Sequence, residues 1–305
     1  MEKLSCKDWF CLGCRILLGL IFIVSATLKL VSLDAFELYI FGFEWFNFGV
    51  STYLARSVIL AEYFVGGIFL FTLRNRWIDL ICGGLLGGFS LFLIYLIISG
   101  KDGNCHCFGD SFVFSPLESL AKNVVLIALY FFALKSKDLN FVFKNKLSIL
   151  ITIVALIVSF AIRPPYPFGL YKETPLDSDK FVQFLEQDSL SGGLSDGQDL
   201  VFFLSTKCKY CKLAAKRLDI ILKKHPYPTQ NIHLYIWGTD EGVAKFFKEN
   251  EVTPLPYQLI NPITLLDISK GKMPLLLLLE NGEVIGKMNN TTFDEVLLVN
   301  FLNKK

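Results

Sequence analysis

Five continuous apolar runs occupy the first 162 residues, at 12–33, 52–73, 77–99, 116–134 and 147–162, and they constrain the chain more than any other feature. Crossing the hydrocarbon core as a helix takes about 17–25 predominantly apolar residues, which each run approaches or reaches. Inside lipid, only helices and closed barrels satisfy their own backbone polar groups. These runs lack the polar alternation of barrel strands, so they are read as helices. Beyond Arg163 the sequence turns polar, and Pro164, Pro165 and Pro167 make a stiff exit from the last run. No later window is long and apolar enough to span; the run at 275–279 reads as a buried strand. The expected fold is an α-helical membrane bundle, four helices plus a fifth tethering helix, followed by an α/β domain. Hydrophobic residues make up 53% of the chain, above the usual soluble share. A net charge of +2 gives no basis for nucleic-acid binding.

Lysine and arginine placement sets the expected orientation. Lys3, Lys7 and Arg15 lie at the start, Arg74 and Arg76 between the second and third runs, and Lys135, Lys137, Lys144 and Lys146 between the fourth and fifth. The loop after the first run carries Asp34, Glu37 and Glu44, with no basic residue before Arg56. Basic loops stay cytoplasmic. Alternation then places the N-terminus inside, and the loop at 100–115 and the whole C-terminal half outside. No small-residue cleavage site follows the first run, so it is expected to be retained. Several charges lie within or near the hydrocarbon, among them Lys29 near the outer end of the first run, where snorkelling to the surface is the alternative reading, and Glu62 midway along the second. A mid-span acid is costly unless neutral, paired or functional. Lys29 is its expected partner, because Arg56 is six residues away on the same helix.

Eight cysteines in 305 residues are too few for a disulfide scaffold, and six of them fall in three close pairs. Cys208-Lys209-Tyr210-Cys211 follows a strand expected at 199–204 and precedes a helical run at 212–224. A cysteine at a helix N-terminus gains from the helix dipole and free N–H groups, which stabilise its thiolate. The second cysteine, one turn on, reaches the same sulfur and resolves a mixed disulfide. That makes Cys208 the candidate nucleophile and Cys211 the resolver, with Lys207, Lys209 and Lys212 expected to lower the thiolate pKa further. Half of a zinc site is the alternative, but this half holds no second cysteine pair. Further strands are expected at 232–237, 275–280 and 283–287, the last two joined by Asn281-Gly282, a strong hairpin signal. Helices are expected at 181–187, 241–249 and 293–302.

Cys105-His106-Cys107 lies in the hairpin between the third and fourth runs. As a redox pair the two cysteines close a small strained ring, which makes a reactive disulfide. Two other readings stay open: metal ligation, which adjacent diverging side chains disfavour, and inert structural thiols. His106 either tunes a neighbouring thiolate or caps the hairpin. Cys11 and Cys14, with Cys82 and Cys6, fall at the cytoplasmic side, where ordinary reduced thiols are expected; the alternative is a route for cytoplasmic electrons.

Strand, CxxC, helix, strand, helix, then X-Pro, hairpin and helix: over residues 180–305 this order resembles the thioredoxin-like superfamily. The resemblance implies a cis bond at Met273-Pro274 and makes Pro274 a supporting site residue. Lys207 stands where many members carry Trp. Ser25-Ala26-Thr27-Leu28-Lys29-Leu30, Glu62 with Gly66-Gly67, and Cys105-His106-Cys107-Phe108-Gly109 resemble the DoxX-like membrane proteins, and among them the methylamine utilisation protein MauE family. That family usually has Gly where His106 stands. The domains read as 1–137, a four-helix membrane domain; 138–173, the fifth helix and linker; and 174–305, the thioredoxin-like domain. Together the resemblances imply a thiol:disulfide oxidoreductase of the bacterial inner membrane, in which Cys208, Cys211, Cys105 and Cys107 carry the chemistry and exported thiol proteins are the partners. No metal is expected and no cofactor fingerprint is present; a quinone enters only as a possible electron acceptor. The competing expectations are a reductase conduit carrying electrons outward and a non-catalytic assembly factor for an exported protein.

Overall fold

The computed structural model describes residues 6–71, 76–100, 114–136, 144–162, 174–187 and 197–304. The chain divides into two compact units: Met1–Ile40 with Val50–Pro164, and Phe41–Gly49 with Pro165–Lys305.

In the first unit, four helices are long and apolar enough to cross a membrane: α1 (Cys6–Val31), α3 (Phe48–Phe71), α4 (Arg76–Ile98) and α5 (Pro116–Ala133). A short helix the sequence reading took as loop, α2 (Leu33–Phe41), follows α1 almost without a break. The fifth run forms α6 (Lys144–Ile162), with a shorter apolar stretch at Ile149–Ala161. α5 packs on α1 and α4. Leu18, Val65, Phe69, Cys82, Leu86, Leu126, Tyr130 and Ala133 form one core between these helices. A second core gathers Ala26, Leu33, Phe36, Ala55, Ile59, Tyr63 and Ala155. Without a hydrophobic drive between helices in lipid, small residues allow the closest approach. A Cβ on Gly66 of α3 would lie 2.7 Å from Ile23 and 2.9 Å from the Gly19 carbonyl of α1. α5 opens on a capping box: Ser115 accepts from the Glu118 amide, and the Glu118 carboxylate accepts from the Ser115 amide.

The second unit is an α/β domain with the thioredoxin-like arrangement. Its described strands are β1 (Gln198–Ser205), β2 (Ile232–Trp237), β3 (Tyr257–Leu259), β4 (Leu275–Glu280) and β5 (Glu283–Met288), in the order β3-β2-β1-β4-β5. β2 runs parallel to β1 and β3, whereas β4 is antiparallel to β1 and β5. Val201, Phe203, Tyr235, Leu275, Leu277 and Leu279 pack with Phe181 of α7 (Ser178–Gln187) and Leu265 and Ile268 of α10 (Pro262–Ser269). The alternate strand positions, Leu200, Phe202, Leu204, Leu276 and Leu278, are also buried. A sheet covered on both faces accounts for the continuous leucine run of β4. α8 (Lys209–Lys224), α9 (Asp240–Glu249) and α11 (Glu295–Asn303) complete the domain. Asn281 and Gly282 both take positive φ, 52° and 80°, as a two-residue type I′ hairpin turn requires. β3 and α10 lie between residues 254 and 270, a stretch the sequence reading left unassigned. There Asn261 caps α10 by accepting from the Ile263 amide, and Pro262 takes the first helical position.

The segment Phe41–Gly49 clusters with this second unit, not with the flanking helices. Phe48 stacks on the Arg217 guanidinium at 3.4 Å, Phe293 covers it at 4.5 Å, and Arg217 donates to the Phe293 carbonyl at 2.8 Å. The Phe48 amide donates to Glu295, and Lys224 donates to the Phe46 carbonyl while lying 4.4 Å from the Phe41 ring.

Candidate functional site

The site is built where β1 meets α8. Hydrophobic burial holds β1 at the centre of the sheet, so Ser205-Thr206-Lys207 emerges at its C-terminal edge. The Thr206 amide donates to the Trp237 carbonyl at 3.1 Å, which ties that edge to β2. Cys208 is the N-cap of α8, with extended backbone (φ −85°, ψ 119°) and its sulfur accepting from the Cys211 amide at 3.4 Å. A cap is normally a Ser, Thr, Asp or Asn oxygen; here a sulfur receives the free helix N–H. Cys211 lies fully buried one turn on, and its sulfur accepts from the Ser205 amide at 3.4 Å. Both residues are free thiols.

These contacts push the two thiols in opposite directions. Cys208 is pulled down to about 6, first by a hydrogen bond from the Cys211 thiol and then by the Cys211 and Tyr210 amides, with burial opposing. Cys211 is pushed up by that same bond, by burial and by the charge on Cys208. The depression therefore comes from Cys211 and backbone amides, not from the lysines expected from sequence; Lys207 and Lys209 are exposed, and Lys212 is partly so. Cys208, half-buried at the edge, is placed to attack, and Cys211, behind it, to resolve. The Met273-Pro274 bond is cis, directly before β4, which pairs with β1 through Phe203 and Leu275.

In the first unit, the structure brings Lys29 and Glu62 together. The Lys29 ammonium donates to the two Glu62 oxygens at 2.7 and 2.8 Å and to the Ser25 hydroxyl at 2.8 Å. Ser25 also donates to Glu62 at 3.2 Å. Arg56, the other partner weighed for Glu62, bonds Glu37 instead, with Thr52 donating to the same carboxylate at 3.3 Å. Sequence reasoning missed this second buried pair. Its signal was present in Glu37 and Arg56, an acid and a base flanking one loop. It also missed Asn123, fully buried in α5, which donates to the Leu86 carbonyl at 3.0 Å and to Ser90 at 2.7 Å. Cys105, His106 and Cys107 lie outside the described residues. Cys11, Cys14 and Cys82 are buried, and Cys6 is exposed. Among the described residues, no three His, Cys, Asp or Glu side chains gather as metal ligands.

These features define a membrane protein: a helical bundle carrying buried ion pairs, joined to an α/β domain with a dithiol at a helix N-terminus. The methylamine utilisation protein MauE family matches residues 7–136, which cover the four long helices. Over most of its length, the chain is similar to Protein TlpB of Flavobacterium psychrophilum, 23% identical across 326 aligned positions that cover 86% of each protein.

Proposed function

We propose that the protein is a membrane-bound thiol:disulfide oxidoreductase that exchanges disulfides between exported proteins, Cys208/Cys211 and Cys105/Cys107. The observation that carries this reading is the Cys208 sulfur at the N-cap of α8, held as a thiolate by the Cys211 thiol and helix amides. In the exchange, the Cys208 thiolate attacks one sulfur of a disulfide, a mixed disulfide forms, and the partner's other sulfur leaves as a thiolate. Cys211 then loses its proton, attacks Cys208 and releases the partner; the pair is oxidised and the partner reduced. In the reverse direction an oxidised pair delivers its disulfide to a reduced partner.

A depressed thiolate pKa stabilises the reduced form, which makes the disulfide the stronger oxidant. This favours delivery of disulfides outward, with electrons passing from Cys208/Cys211 to Cys105/Cys107 and on to a two-electron acceptor such as a quinone. The reading requires both pairs to share the extracytoplasmic side of a bacterial inner membrane, with α6 as a fifth span. The distribution of basic loops supports that topology. Tethering two pairs on one chain raises their effective concentration above that of separate proteins. Trapping tests the reaction: Cys211→Ser should accumulate an internal disulfide between Cys208 and Cys105 or Cys107. Its absence under mild oxidation would refute exchange between the pairs. Reporter fusions at Lys137 and at the C-terminus should report opposite faces, and two cytoplasmic signals would refute the topology.

A further inference from the structure

The N-terminal end of α8 carries charge that the thiol chemistry does not use. Lys207, Lys209 and Lys212 bracket the two cysteines, and among the described residues none of their ammonium groups has an ion-pair partner. The lysines further along α8 are engaged: Lys216 pairs with Glu251 at 2.9 Å, Lys223 with Asp219 at 2.7 Å, and Lys224 donates to the Phe46 carbonyl at 3.1 Å. Two acids share this edge and are outnumbered by the three lysines. Asp240 and Glu241 open α9, whose Gly242 lies beside Thr206, and Asp240 accepts from the Tyr257 hydroxyl at 2.8 Å. Asp177 lies 3.9 Å from Lys270, and Asp267 sits on α10. Tyr210 and Trp237, 43% and 37% exposed, give the same edge an aromatic surface.

We infer that this basic, aromatic edge selects its redox partners by charge, taking extended cysteine-bearing segments of exported proteins that carry acidic side chains close to the reacting cysteine. The inference rests on the proposed exchange chemistry and adds the class of partner. The thiolate at Cys208 is already accounted for by Cys211 and the backbone amides, so the lysines are free to act on whatever approaches it. Charges at a rim change encounter rates and discriminate partners more than they add affinity.

The test uses the full chain in neutral detergent and three disulfide-bonded peptides. They share one cysteine and one flanking aromatic residue and differ only in neighbouring Asp, Ser or Lys. The Asp peptide should react with reduced protein about tenfold faster than the Lys peptide at low ionic strength, and the rates should converge as salt shortens the screening length. The triple reversal K207E/K209E/K212E should invert the order, while iodoacetamide labelling checks that Cys208 still ionises. Equal rates for all three peptides, or an order that survives the reversal, would overturn the inference. The same result would follow if the lysines served anionic lipid headgroups instead. Failure of every peptide to exchange while Cys208 still alkylates would instead refute the redox reading, and this inference with it.

Discussion

A thiol whose ionisation is set mainly by one neighbour gives a sharp test of the site. With the Cys208 pKa at about 6, its thiolate fraction is roughly 10% at pH 5 and 90% at pH 7. Alkylation of reduced protein by iodoacetamide should therefore rise about tenfold between those pH values and then level off. An ordinary cysteine, near 8.5, would gain about a hundredfold over the same interval and keep rising to pH 9. Cys211→Ala removes the thiol that donates to Cys208, the largest cause of the depression. The midpoint should then move up but stop short of the ordinary value, because the Cys211 and Tyr210 amides remain. Cys211→Ser keeps a donor and should move it less. Stability follows with a fixed sign. A folded pKa below the unfolded one contributes stability that grows as pH rises from about 6 to 9 and is lost as pH falls through 6. Above 9 the raised Cys211 pKa reverses the trend, since only the unfolded chain then ionises there. Each point is read by mass spectrometry of the Cys208 peptide at timed intervals. A wild-type midpoint above about 8, or no shift in Cys211→Ala, would refute the argument that Cys211 holds the thiolate.

In the Lys29–Glu62 pair the lysine is buried and the glutamate partly so, and the loss of about 3–5 kcal/mol on breaking a fully buried pair is the upper limit for it. Glu62→Gln should thus lower the melting temperature of the solubilised protein, and Lys29→Met with Glu62→Leu should recover part of the loss; an unchanged melt in Glu62→Gln would remove any structural role for the pair. Gly66→Ala places a methyl against Ile23 and the Gly19 carbonyl and should cost about 1–3 kcal/mol, whereas Gly84→Ala, with open space around it, should be neutral in the same melt. Arg217→Ala removes the cation between Phe48 and Phe293 and should cost about 2 kcal/mol; hydrogen exchange should rise across 41–49, and equal protection there would sink the account. Replacing Cys11, Cys14 and Cys82 together by Ser should leave the redox state of Cys208/Cys211 in cells unchanged, and its shift to the oxidised form would favour the conduit.

What sequence disclosed here depended on how local the governing interaction was. β2 and β4 were legible to the residue because burial on both faces makes strands into continuous apolar runs. The turn at Asn281-Gly282 was legible because its positive φ values demand those residue types. α2 was not, because Asp34, Glu37 and Glu44 give its surroundings the composition of a loop. Its acid Glu37 is held by Arg56 and Thr52 from the next helix, a partnership only the fold reveals. The Phe41–Gly49 segment escaped for the same reason. An aromatic stretch between apolar runs reads as part of the membrane half, whereas Arg217 and Phe293, more than a hundred residues on, draw it into the second unit. The strand-to-helix placement of Cys208 and Cys211 and the cis bond before Pro274 match the expectation, yet the source of the low thiolate pKa was not legible. Three lysines beside a cysteine look sufficient on paper, but a side chain in water acts weakly. The Cys211 thiol acts from the buried side.

The two directions of electron flow make different demands on the remaining thiols. A conduit drawing electrons through Cys11, Cys14 and Cys82 needs a sulfur that a donor can approach in line. Those three residues are 3%, 6% and 1% exposed, and Cys82 is packed among Leu18, Val65, Phe69 and Leu86. Packing of that density has no room for an incoming thiolate unless the helices separate, and Gly19 and Gly66 hold α1 and α3 in close contact. Cys6 is exposed but stands alone, three positions before Trp9 rather than within a pair. Delivery of disulfides outward asks none of this of the buried thiols. It needs an oxidising dithiol, the character the proposed exchange assigns to Cys208 and Cys211. Among the described residues, the conduit therefore requires the most tightly packed thiols to open.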